Sequence, residues 1–107
     1  MFQQDFLRRQ IELLGRAIAS IMKKRQDGEV QEALVEARKA YETLGINRAL
    51  LRLDSPSIAR MVRDPDKLRA LCDLLEEEAR VHEAMGNAPV CSDLRLQAAE
   101  LRKAAAT

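Results

Sequence analysis

Apolar residues recur along the chain at alternating spacings of three and four, the period of an amphipathic helix. Leu7, Ile11, Leu14, Ile18 and Ile21 form one such line, flanked by Phe6, Leu13, Ala17 and Met22. The spacing predicts a helix over about 2–25. Lys23, Lys24 and Arg25 occupy its last turn, where cations suit the helix dipole, and Gly28 suits a left-handed stop. On its polar side Asp5 and Arg9, and Arg8 and Glu12, stand four apart, a spacing that suits ion pairs. Gly15, inside the pattern, reads as a point where a neighbouring helix approaches closely.

A second helix is expected over about 29–44, burying Val30, Ala33, Leu34, Ala37, Tyr41 and Leu44 with Ala40 beside them, and stopping at Gly45. The short connection makes the two helices antiparallel neighbours. A bridging stretch follows. Asn47 caps a short helix through Leu53, and Ser55 followed by Pro56 reads as a capping hydroxyl with proline at the first helical position. Ile58, Met61 and Val62 give that bridge an apolar edge. Asp64-Pro65 repeats the capping device and opens a helix to about Met85 with the stripe Leu68, Leu71, Cys72, Leu75, Ala79, His82 and Met85. After Gly86-Asn87, a last helix over about 88–105 buries Val90, Cys91, Leu94, Ala98 and Leu101, with a frayed end expected towards Thr107.

The expectation is therefore an all-α fold of five to six helices in a single domain, 1–107. Two antiparallel hairpins, 2–45 and 64–105, are bridged by short helices over 47–63. Composition agrees: of 107 residues, 47% are hydrophobic and 33% charged, and the aromatics are Phe2, Phe6 and Tyr41 alone. That predicts an aliphatic, methionine-rich core. The formal net charge of +1 weakens any long-range attraction to nucleic acid or to an anionic membrane. No apolar run approaches the ~18–20 residues a membrane span needs, and the opening residues lack the apolar block of a signal peptide. A cytoplasmic protein without a membrane partner is expected. The two cysteines read as packed thiols.

The second hairpin resembles a tetratricopeptide repeat. With Gly86 as the turn glycine, Ala79, Cys91 and Ala98 fall on that family's small positions, His82 on its usual tyrosine position and Leu75 on its large apolar one. In the first hairpin Gly28 is the turn and Ala33 and Ala40 are small, while Ile21 replaces a small residue. The turn glycines lie 58 residues apart, against about 34 in the family, because the bridge intervenes. The opening MFQQDFLRRQIELLGRAIA also resembles the start of an uncharacterised family of small bacterial helical proteins that end in such a hairpin. That resemblance implies a bacterial source and a repeat-like fold, and no known activity.

Chemistry is sparse. Cys72 and His82 stand ten apart, off a common helical direction, and no metal-ligand spacing is present. Cys72, His82 and Cys91 read as packed thiols with a half-buried histidine, and no cofactor is implied. The run Asp73, Glu76, Glu77, Glu78 and Glu83 has no nucleophile or phosphate loop with it, so it reads as a solvated face or as a dock for a basic partner. Arg8, Arg9, Arg16, Lys23, Lys24 and Arg25 make the first helix basic, reading either as internal charge matching or as a contact surface. Phe2 and Phe6 clamp the terminus onto the core or anchor a partner. The sequence thus points to a non-catalytic protein-interaction module, with Phe2, Phe6, Arg8, Arg9, Arg16, Glu76, Glu77, Glu78 and His82 as candidate contacts and a homodimer as one arrangement. The alternative is a nucleic-acid-associated regulator using the basic first helix.

Overall fold

A computed structural model describes residues 2–106, with side chains from residue 4 onward. Among the described residues the chain forms five α-helices and no strand: α1 (Phe2–Gln26), α2 (Val30–Thr43), α3 (Ser55–Val62), α4 (Pro65–Ala84) and α5 (Ala88–Ala106). A 3₁₀ segment, Arg48–Arg52, lies between α2 and α3. The α1–α2 and α4–α5 pairs are antiparallel hairpins, bridged by the 3₁₀ segment and α3.

Both hairpins turn by the same device. Gly28 (φ 82°) and Gly86 (φ 78°) adopt left-handed backbone that a side chain would resist. At each turn two amides close back on the helix end, Gly28 to Arg25 and Glu29 to Lys24, and Gly86 to Glu83 and Asn87 to His82. This is the paired bonding of a Schellman stop, and it satisfies carbonyls the helix leaves open.

The bridge is capped as expected at Asn47, whose side chain accepts from the Ala49 amide, and at Asp64, which accepts from Asp66 and Lys67 with Pro65 in the first turn. The cap of α3 differs. Asp54, not Ser55, accepts from the Ser57 amide, and Ser55 is already helical with its hydroxyl donated to Glu100 on α5. A carboxylate one residue upstream outcompetes the serine for the same orphan amide.

Helix α4 is the centre of the molecule, packed against α1, α2, α3 and α5. Leu68, Leu71, Cys72, Leu74, Leu75, Ala79 and Val81 are buried on it, joined by Leu14 and Ile21 of α1, Ala33, Leu34, Ala37, Ala40 and Tyr41 of α2, Ile58 of α3, and Ala98 and Leu101 of α5. Each buried leucine contributes about 1.5–3 kcal/mol over leaving it in water. The core is aliphatic, but methionine does not build it: Met22 and Met61 are exposed and Met85 is half-buried. Helix α5 stays regular to Ala106, and the fraying expected at Thr107 falls outside the described residues.

The 25 residues of α1 make a rod of about 37 Å, whereas the 14 of α2 reach about 21 Å. Helix α2 therefore runs out before α1 does. Its end, at Gly45, lies against Gln10. The first turns of α1 overhang the hairpin, and this overhang positions the surface described next.

Candidate functional site: the outward face of α1

Phe6 sits on the overhang and is 65% exposed, and Leu13, seven residues on, is 45% exposed. Seven residues bring a helix back to within about 20° of the same direction, so the two lie on one line. Phe6 does not clamp the terminus onto the core, because nothing of α2 reaches far enough to cover it. The side chain of Phe2 falls outside the described residues.

Arg9, Arg16 and Lys23 repeat at the same seven-residue spacing on the neighbouring line, and all are exposed, as is Arg8. None of these four forms an ion pair among the described residues, and neither the Asp5–Arg9 nor the Arg8–Glu12 pair is made. Exposed pairs gain little over two hydrated, mobile side chains. Internal matching of the basic helix is confined to its last turn, where Lys24 pairs with Glu36 at 3.1 Å and Arg25 with Glu77 at 2.9 Å. Phe6, Arg9 and Arg16 thus share the outward side of α1, whereas Arg8 stands about 160° round the helix from Phe6 and lines the groove towards α4.

The acidic residues of α4 are not part of any such surface. Glu77 is 0% and Glu78 2% exposed, because neighbours pack on α4 from several sides and leave those positions no solvent face. Arg25 and Arg80 compensate Glu77, at 2.9 and 3.4 Å. Glu78 accepts from the Tyr41 hydroxyl at 2.5 Å and from His82 Nε2 at 3.1 Å, with Arg48 at 3.7 Å and its guanidinium over the Tyr41 ring. His82 is itself buried, and its Nδ1 has no hydrogen-bond partner. Glu76 is partly exposed, but Arg102 of α5 binds it at 2.8 Å, together with Asp73 at 2.7 Å. That guanidinium holds the Glu76 carboxyl below its usual range. Glu77, Glu78 and His82 are thus internal groups rather than partner contacts. One signal was available: Glu78 stands four before His82, so it shares the side of α4 that the apolar stripe already marks as buried.

A second surface is the shallow groove of about 520 Å³ between α1 and α4, floored by half-buried Leu7 and Ile11. Its charges are largely satisfied within the fold. Arg69 pairs with Asp66 at 2.7 Å, Arg102 with Asp73, and Asp64 caps α4. On the outward face of α1 the cations Arg9, Arg16 and Lys23 stand among the exposed carboxylates Asp5 and Glu12, and none of the five forms an ion pair among the described residues.

Burial pushes the Cys72 thiol up to about 11, so it is held in its unreactive form. Cys91 is also buried, and both are free thiols. Among the described residues no three of His, Cys, Asp and Glu gather as a metal-holding group, and no helix is long and apolar enough to cross a membrane. No family model matches the chain, and no curated protein or solved structure matches it.

Proposed function

We propose that this chain is a non-catalytic protein-binding module, and that it engages an acidic partner segment with an apolar face along the outward side of α1. The observation that carries this is the exposed Phe6–Leu13 line beside Arg9, Arg16 and Lys23, which outnumber the carboxylates Asp5 and Glu12 on the same side of the helix. Large exposed apolar groups rimmed by charge mark contact sites, and aromatic and arginine side chains are favoured at interface centres. The tetratricopeptide-like relationship is supported by two glycine-turned hairpins with Ala33, Ala79 and Ala98 buried at their seams. A bacterial source and a cytoplasmic location go with that reading. The raised Cys72 thiol and the fully bonded Glu78 fit a chain that acts by shape and charge.

A second reading uses the basic first helix against a nucleic acid. The apolar line disfavours it, since phosphate backbones reward cations alone.

The test is a fluorescence titration with a synthetic helical peptide bearing glutamates on one face and leucines on the other, beside labelled duplex DNA and single-stranded RNA. The peptide is expected to bind, and Arg9→Glu with Arg16→Glu to abolish binding while the helical circular-dichroism spectrum is kept. Equal binding by the charge-reversed variant would refute the assignment. Tight binding of an oligonucleotide with a steep salt dependence would favour the second reading instead.

A further inference from the structure

Only two residues, Arg63 and Asp64, join α3 to α4. Asp64 precedes a proline, which confines its backbone to the extended region, and it sits there with φ −75° and ψ 125°. The whole reversal between the two helices therefore falls on Arg63, which takes φ 67° and ψ −54°. Around it the Asp64 amide donates to the Val62 carbonyl, two residues back, at 2.8 Å. This is a γ-turn of the rare, strained hand. Every other left-handed residue among the described ones is a glycine. Arg63 alone carries a Cβ into that conformation. Its side chain is exposed, and no ion pair among the described residues offsets the strain.

Helix α3 is also lightly held. Its eight residues are too few to keep a helix in water without docking. Ile58 is its one buried side chain. The helix packs on α5 and α4, but its seam with α5 is not filled. Ser55, Pro56 and Ala59 face Glu100, Lys103 and Ala104 across a groove of about 560 Å³. The Ser55 hydroxyl donates to Glu100 across it at 2.8 Å, in an exposed place where water competes for both groups. Upstream, Gln97 of α5 donates to the Leu51 carbonyl at 2.8 Å and pins the 3₁₀ segment, and Leu53 and Asp54 follow in ordinary extended backbone. The bridge is thus fastened before α3 and strained after it.

We propose that α3 is a strap that swings off α5 as a unit, hinged at Leu53–Asp54 and at Arg63, while both hairpins stay folded. Undocking lets Arg63 return to negative φ, so the strain at the turn favours the open form and the burial of Ile58 favours the closed one. Opening takes Ile58 out of the buried cluster it shares with Ala98 and Leu101 of α5, and widens the groove beside α5 into an apolar cleft.

Hydrogen exchange followed amide by amide in the native chain tests this. In wild type the amides of Ala59 to Val62, corrected for intrinsic rates, are expected to exchange at least about a hundredfold faster than those of Leu71 to Ala79. Arg63→Gly removes the strain from the docked form. That outweighs the freedom glycine adds to the open form, and exchange in α3 is expected to slow about threefold or more. Arg63→Ala deletes the same charge but keeps the Cβ, and is expected to leave α3 within about twofold of wild type. Equal protection of α3 and α4 in wild type would overturn the proposal, since the strap would then open only with the whole fold. So would Arg63→Gly that leaves α3 exchange unchanged, because the turn would then stay as it is while α3 opens. Equal slowing by glycine and alanine would trace the effect to the lost charge and overturn the hinge.

Discussion

The hydroxyl of Tyr41 on α2 donates a 2.5 Å hydrogen bond to Oε1 of Glu78 on α4, within the buried seam between the two helices. Both groups are shut away from water, so the bond does more than hold two helices together: it is one of the few compensations that let a carboxylate sit in an aliphatic core. Tyr41→Phe keeps the packing and deletes the donor. A hydrogen bond to a charged group is worth about 1.5–3 kcal/mol, and the urea midpoint is expected to fall accordingly. His82 supplies the second donor to the same carboxylate at 3.1 Å. Removing it together with the Tyr41 hydroxyl leaves only Arg48 near the charge. The double variant, Tyr41→Phe with His82→Leu, is expected to lose about 1 kcal/mol more than the sum of the singles. Simple additivity would show that the three side chains do not act as one network.

The same bond has a signature in alkali. Burial, and then the negative charge of Glu78, raise the Tyr41 hydroxyl far above its ordinary value, with Arg48 opposing weakly. A proton held more tightly in the fold than in the unfolded chain stabilises the fold fully below the unfolded value of about 10. That contribution is lost as pH rises beyond it, at up to about 1.4 kcal/mol per pH unit. Tyr41 is the only tyrosine and there is no tryptophan, so tyrosinate absorbance reports this one group. It is expected to stay flat through pH 10 and rise only together with loss of helical ellipticity. A smooth titration near pH 10 in a chain that remains helical would contradict the buried bond. The Tyr41→Phe variant should lose stability less steeply in the same range.

How far such features were legible from sequence depended on their range. Periodicity placed the helices to within a residue or two and named most of the buried stripe, because burial along one helix follows from spacing, but it missed Ile46 and, on α4, Ala70, Leu74 and Val81. It failed where burial depends on how many helices surround a position. Glu77 and Glu78 look like a solvated run in sequence, and only the central place of α4 buries them. Phe6 looks like a clamp until the lengths of α1 and α2 are compared.

The burial of Glu77 makes two salt bridges on α4 unequal. Arg25 meets a carboxylate with no exposure, whereas Arg102 meets Asp73 and Glu76, both open to water. Arg25→Ala strips the nearer partner from a buried charge and leaves Arg80 at 3.4 Å as partial relief. The expected cost is about 2–4 kcal/mol. Arg102→Ala deletes two contacts at once and is expected to cost about 1 kcal/mol or less, since water and salt already screen them. Thermal unfolding of the two variants at low and high salt checks the ranking. An equal loss, or a salt-sensitive loss for Arg25→Ala, would mean that Glu77 is not sealed from solvent.

Two glycines are expected to respond to alanine with opposite signs. Gly15 was expected to mark a close helix approach, yet it lies on the exposed side of α1 and a methyl group added there meets nothing within 4 Å. Its only effect in the fold is the cost of glycine in a helix, so Gly15→Ala is expected to raise stability by about 0.5–1 kcal/mol. Gly45 has φ 75°, and a methyl group there would come within 3.0 Å of Gln10 Nε2 and 3.4 Å of Lys67 Nζ. Gly45→Ala adds left-handed strain of about 1–2 kcal/mol, and the crowding at Gln10 comes on top of it. Urea denaturation of both variants beside wild type decides the matter. A stabilising Gly45→Ala would mean that the residue ending α2 does not hold a left-handed backbone.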